Sequence, residues 1–126
     1  MSDDRVFGGV GTNVVYEDDE VRVWRLKLAP GEDSPIHRHE LDHLLIQVRG
    51  DRIAVIPEPD TQGPYREVLE ADVVPGAVIR VPRGGVERAR NVGTEPYLEV
   101  IVELKDAKRL APSPDSVVDI AQTSKP

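Results

Sequence analysis

Apolar and polar residues alternate most clearly in Val21-Arg22-Val23-Trp24-Arg25-Leu26-Lys27-Leu28, where Trp24, Leu26 and Leu28 share one face and Arg25 and Lys27 the other. A period of two residues marks a strand with one face covered, and Ala29-Pro30-Gly31 ends it. Further strands are expected over Leu44–Val48 and, beyond the turn Arg49-Gly50-Asp51-Arg52, over Ile53–Ile56. Pro57–Pro64 reads as a loop, Val68 and Leu69 as part of a short strand, and Val73-Val74-Pro75-Gly76 as a turn. Strands over Ala77–Val81, Val86–Asn91 and Tyr97–Leu104 complete the pattern, with the turn Pro82-Arg83-Gly84-Gly85 between the first two.

Short strands punctuated by glycine and proline predict an all-β sandwich or barrel. The expected organisation is one domain over residues 1–110 and a tail over 111–126, rich in Pro, Ser and Asp, with one short helix near Val117–Ala121. Leu44, Ile46 and Val48 share one strand face, and His43, Leu45 and Gln47 the other. A strand apolar on both faces is covered on both, so a homodimer is expected.

The chain has three histidines, all within His37-Arg38-His39-Glu40-Leu41-Asp42-His43. On a continuous strand all three point to one side. Neutral imidazole is the commonest metal ligand, so a metal site is the first chemical hypothesis. By the same parity Glu40 and Asp42 face away, and either would substitute if His43 were not a ligand. Gln47, on the His43 face, is a candidate substrate contact. Arg22 would meet a substrate carboxylate if its face looks inward, against the plainer reading that it reaches solvent. Asn91 shares a face with Glu87 and is a further candidate contact, against a structural role at the strand end. Nothing in the sequence places Tyr16, Tyr65 or Tyr97 in a pocket.

Composition narrows the chemistry. There is no cysteine, which removes disulfides, thiolate metal sites and cysteine nucleophiles. The net charge of −7 disfavours nucleic acid, and Arg80, Arg83, Arg88 and Arg90 read as a solvated face before they read as an anion-binding rim. No apolar run reaches membrane-spanning length. The acidic start, Met1-Ser2-Asp3-Asp4-Arg5, lacks a secretion-signal pattern, so a cytoplasmic protein without nucleic-acid or membrane partners is expected. Arg49-Gly50-Asp51 matches an integrin-binding triplet, but between apolar strands it is a hairpin turn.

The segment Gly31–Gly50 resembles the first signature motif of the cupin superfamily, with Gly31, His37, His39 and Gly50 in register and His43 at the family's glutamate position. The segment Gly76–Asn91 resembles the second motif through Gly76, Pro82, Gly84 and Asn91, with Glu87 at the family's histidine position. The two departures compensate, because together they keep three histidines and one glutamate. The resemblance implies a cupin-type double-stranded β-helix, or jelly-roll barrel. It also implies a divalent ion on His37, His39, His43 and Glu87, with iron first and Mn, Ni or Zn as alternatives. The activity implied first is that of a non-haem dioxygenase acting on a small oxygenated molecule. A redox-neutral isomerase, lyase or decarboxylase is the second reading, and a non-catalytic module that binds a small ligand is the third.

Overall fold

A computed structural model of the protein describes residues 3–105. The domain end expected at residue 110 and the tail with its short helix lie outside the described residues. Among the described residues every regular element is a strand. They are β1 (Asn13–Glu17), β2 (Val21–Leu28), β3 (His37–Arg38), β4 (His43–Arg49), β5 (Arg52–Pro57), β6 (Leu69–Asp72), β7 (Val78–Val81), β8 (Val86–Asn91) and β9 (Tyr97–Leu104).

The strands form two facing sheets of a jelly-roll barrel. One has the order β1-β2-β9-β4-β7, the other β3-β8-β5-β6. Alternation explains how β9 serves both faces: Tyr97, Glu99, Ile101 and Glu103 are buried, while Leu98, Val100, Val102 and Leu104 are only partly covered. Cross-strand partners extend this outer apolar face, with Val23 and Leu44 both opposite Val102 and Ile46 opposite Val100. Inside, Val10, Leu26, Leu28, Ile53, Val73, Tyr97 and Ile101 form the core, with Trp24, Leu45 and Ala89 packed on it.

Two features differ from the sequence reading. The histidine stretch is not one strand. β3 ends at Arg38, and β4 begins at His43 in the other sheet. The crossing is held at both ends. The amide of His39 donates to the Gly85 carbonyl at 2.8 Å, and the amide of Leu104 donates to the Asp42 carbonyl at 2.9 Å. β1 carries no alternation to betray it: all five of its residues are exposed, and it pairs with β2 alone, with an irregular register between Val14 and Tyr16.

The turn after β7 needs a glycine. Gly84 takes φ +113°, and a Cβ there would stand 2.9 Å from the Gln62 carbonyl oxygen. That left-handed region is costly for any other residue. The turn thereby brings the start of β8 against His39.

Candidate metal centre

His37 on β3 and Glu87 on β8 are direct partners across the antiparallel pair, which places their side chains side by side. His39, two residues on, turns its ring edge-on to His37, with centroids 4.8 Å apart. Glu87 Oε2 lies 3.4 Å from His39 Nε2 and 4.0 Å from His37 Nε2. One donor atom from each of His37, His39 and Glu87 falls within 4.8 Å of the others. His43 stands beside this group, its ring stacked on His39 with centroids 4.0 Å apart. Although it comes from the opposite sheet, it reaches the same interior and is only 1% exposed.

The hydrogen bonds fix which nitrogens are free. His37 Nδ1 lies 3.0 Å from the Pro35 carbonyl and His43 Nδ1 2.9 Å from the Leu41 carbonyl. A carbonyl accepts only, so both Nδ1 atoms carry the proton and both Nε2 atoms keep a lone pair. Carbonyl contacts of this kind orient metal-binding imidazoles elsewhere. His39 Nδ1 is buried with no hydrogen-bond partner among the described residues.

Burial, reinforced by the neighbouring His39 ring, lowers His37 and His43 to a pKa of about 4. Both imidazoles are neutral at physiological pH, so an ion displaces no proton from them. Burial works to raise Glu87, but the hydrogen bond with His39 and the other imidazoles outweigh it and hold the carboxyl below its usual range. The Nε2 lone pairs of His37 and His43 lie beside this half-buried carboxylate, and His39 adds its own Nε2 once its proton sits on the unpartnered Nδ1. That donor set fits a divalent cation with nitrogen and oxygen ligands.

Gly85 makes room for this arrangement. A Cβ there would lie 2.9 Å from Glu87 Oε1 and 3.5 Å from His39 Cδ2. The nearer atom is the end of a flexible side chain, so Gly85→Ala displaces the carboxylate and leaves the fold intact. Metal affinity is expected to fall by about ten-fold, as read by competition with a chromophoric chelator. Unchanged affinity would show that Glu87 can shift without loss of a ligand.

The three-donor group opens on a cavity of about 100 Å³. Its walls are mainly apolar, with Leu26, Ile53 and Ile101 among them, and Gln47, Tyr65, Tyr97 and Glu99 are its further polar members. Of the predicted substrate contacts, Gln47 reaches this cavity. Arg22 does not: its Nε donates to Glu103 Oε1 at 2.8 Å, and Trp24 Nε1 donates to the same oxygen at 2.6 Å. A buried carboxylate thus holds Arg22 away from the cavity. Asn91 does not reach it either. Its Nδ2 donates to the Leu28 and Glu95 carbonyls at 3.0 and 2.8 Å, and its Oδ1 accepts from the Gly93 amide at 2.9 Å. All of its capacity goes into holding the end of β8.

Asp42 is engaged by Arg83, through both the backbone amide and Nε, and Glu40 is exposed. Neither belongs to the three-donor group. The arginine cluster is a solvated face: Arg80 and Arg83 pair with Asp42, and Arg88 and Arg90 with Asp33.

Tyr97 and Glu99 were missed as site residues. The Tyr97 hydroxyl donates to Glu99 Oε1, and Gln47 Nε2 donates to the Tyr97 hydroxyl at 3.4 Å. The signal was present, since Tyr97, Glu99, Ile101 and Glu103 alternate on one face of a strand. An acid that shares parity with core residues is the informative observation.

A family model described as auxin binding protein matches residues 6–109. Auxin-binding protein T85 of Nicotiana tabacum is 27% identical over 94 residues, covering 74% of this chain and 50% of that protein. Auxin-binding protein 1 of Arabidopsis thaliana is 27% identical over 93 residues, covering 74% and 46%. The chain therefore spans about half the length of the curated relatives it matches. Among solved structures, a cupin domain from Bordetella pertussis Tohama I superposes with a TM-score of 0.63 at 18% identity, covering 74% of this chain and 90% of that one. An RmlC-like cupin family protein with a double-stranded β-helix fold, from Methanocaldococcus jannaschii, gives 0.58 at 18% identity, covering 87% and 96%. At these identities the structures speak for the fold alone. Taken with the match over residues 6–109, they establish that the chain belongs to the auxin-binding protein family of the cupin superfamily.

Proposed function

We propose that this protein holds a divalent metal ion on His37, His39, His43 and Glu87 and uses it to bind and transform a small oxygenated organic molecule. The observation that carries the reading is the three-donor group on the wall of a mostly apolar cavity. An ion there supplies a Lewis-acid position for a ligand oxygen and, as iron, oxygen-dependent chemistry of the dioxygenase kind. The protein's part is to orient the imidazoles through the Pro35 and Leu41 carbonyls, to keep Glu87 ionised and to exclude water with apolar walls. The cavity is smaller than the ~150 Å³ apolar cavity that admits benzene, which favours a short-chain molecule in its enclosed part. The relatives named for auxin binding support ligand capture as the first step.

A redox-neutral reaction is the second reading, and one observation favours it: the cavity also holds the buried carboxyl of Glu99, a group that can take or give a proton. Elemental analysis of untagged wild type and Glu87→Ala tests the metal reading. Near-stoichiometric metal in the wild type and a sharp drop in the variant are expected. No metal in the wild type, even after reconstitution, would sink it. Oxygen consumption coupled to product formation then separates the dioxygenase from the redox-neutral enzyme, and ligand retention without turnover would leave a binding module.

A further inference from the structure

The geometry points to a second recognition point in the cavity: Glu99, held by Tyr97 and Gln47, accepts a hydrogen bond from a hydroxyl or amine on the bound molecule. On this inference, which rests on the metal reading above, the ligand is bifunctional. It carries an oxygen donor for the metal side and a hydrogen-bond donor for the Glu99 side.

The hydrogen bonds around Glu99 run in one direction. The Val74 amide donates to Gln47 Oε1 at 3.0 Å, Gln47 Nε2 donates to the Tyr97 hydroxyl at 3.4 Å, and that hydroxyl donates to Glu99 Oε1. The chain of donors ends at the carboxyl. It is the one protein hydrogen bond that Glu99 makes among the described residues, so its second oxygen has no protein partner there and, unlike the fully buried His39 Nδ1, keeps some accessible surface that a ligand can meet. Glu99 is 8% exposed and lines the same cavity as His37, His39 and Glu87.

A carboxyl with a spare oxygen is expensive to leave inside an apolar wall. The Tyr97 hydroxyl fixes its position with Gln47 behind it, and its charge-bearing neighbours are the His39 ring, which favours the charged form, and Glu87, which opposes it. Burial raises its pKa to about 7, and the negative Glu87 pushes the same way. A donor from the ligand would satisfy the spare oxygen, and an amine would also balance its charge. A site built to receive a hydrogen bond rejects an analogue that lacks it, because the buried group is then stranded.

The test uses metal-loaded full-length protein and three probes built on the same four-carbon acid: γ-hydroxybutyrate, γ-aminobutyrate and butyrate. Binding is measured by calorimetry, and each titration is repeated on metal-free protein. The hydroxyl or amine compound is expected to bind at least about ten-fold tighter than butyrate to the wild type. That preference should collapse in Glu99→Gln, shrink in Tyr97→Phe, and leave metal content unchanged in both. A preference for the amine alone assigns charge balance to Glu99, and a preference shared by hydroxyl and amine assigns simple hydrogen bonding. If neither polar probe outbinds butyrate in the wild type, or if the preference survives in Glu99→Gln, the inference is overturned. Metal content separates this from failure of the metal reading: a protein that never takes up metal refutes that reading, and the preference is then read on the metal-free protein.

Discussion

Stripping the divalent ion from the metal-loaded protein is expected to lower its melting temperature by on the order of 15 °C. β3 contributes only His37 and Arg38 to its sheet and pairs with β8 alone. Its backbone hold is therefore slight, while its first residue is half of the His37–Glu87 pair. An ion shared by that pair ties β3 to β8 at the register position. A ligand that binds the folded chain and ignores the unfolded one stabilises by ~4 kcal/mol when its free concentration is ~1,000 times the dissociation constant. Each kcal/mol moves the midpoint by about 4 °C in a domain of this size. Differential scanning calorimetry before and after chelation reads the shift, with Glu87→Ala as the control that has little left to lose. A midpoint indifferent to chelator would show that the group is stable without an ion.

The second large effect concerns Glu99. Glu99→Gln is expected to stabilise the metal-free protein by about 3 kcal/mol near pH 8 and by little near pH 4. The folded chain holds the proton of Glu99 up to a pKa of about 7, mainly because burial penalises the charged form, against the ordinary 4.5. Below 4.5 both folded and unfolded states are protonated, and Glu99 has no effect on the balance. Between 4.5 and 7 the unfolded chain gives up a proton that the folded chain retains, so stability falls as pH rises. Above 7 the buried carboxylate is charged and the penalty is complete. Glutamine keeps the shape and the bond from Tyr97 but cannot ionise. Urea denaturation of wild type and variant across this range isolates the difference from the histidines, which titrate in both. Parallel profiles would mean that Glu99 keeps an ordinary acidity in the fold. A side chain that destabilises its own fold at neutral pH is usually retained for what it does.

Much of the barrel was legible because β2 and β9 alternate so regularly. Val21–Leu28 and Tyr97–Leu104 have the boundaries that the sequence pattern predicts. β1 was not legible, because an exposed edge strand has no buried face to write a period into its sequence. Motif spacing placed Glu87 with His37 and His39, and the structure brings those three together, with His43 stacked beside His39 rather than within the three-donor group. Where strand parity was used alone it placed His43 correctly on the interior but for the wrong reason. The interior is shared by two sheets, so a chain that crosses between them can aim inward twice. Arg22 and Asn91 show the opposite limit. Parity gave Arg22 the face of Trp24, yet a glutamate eighty-one residues away takes its guanidinium. Asn91 was drawn toward the site by its face and is consumed by three backbone groups. Such partners lie far apart in sequence or belong to the main chain, where no local pattern records them.

The position of β9 has a consequence for how the protein is made. β9 is the last described strand to leave the ribosome, and it lies between β2 and β4 in the middle of its sheet. Until residue 104 emerges, β2 has only the edge strand β1 to pair with, and β4 only β7. Tyr97, Glu99 and Ile101 of the cavity wall arrive on that same strand. Folding of the barrel must therefore wait for nearly all of the described chain, and it proceeds through pairings distant in sequence, which are slow to form. A nascent chain stalled before β9 would present two open strand edges and an uncovered apolar interior, a state prone to aggregate and a natural client for chaperones.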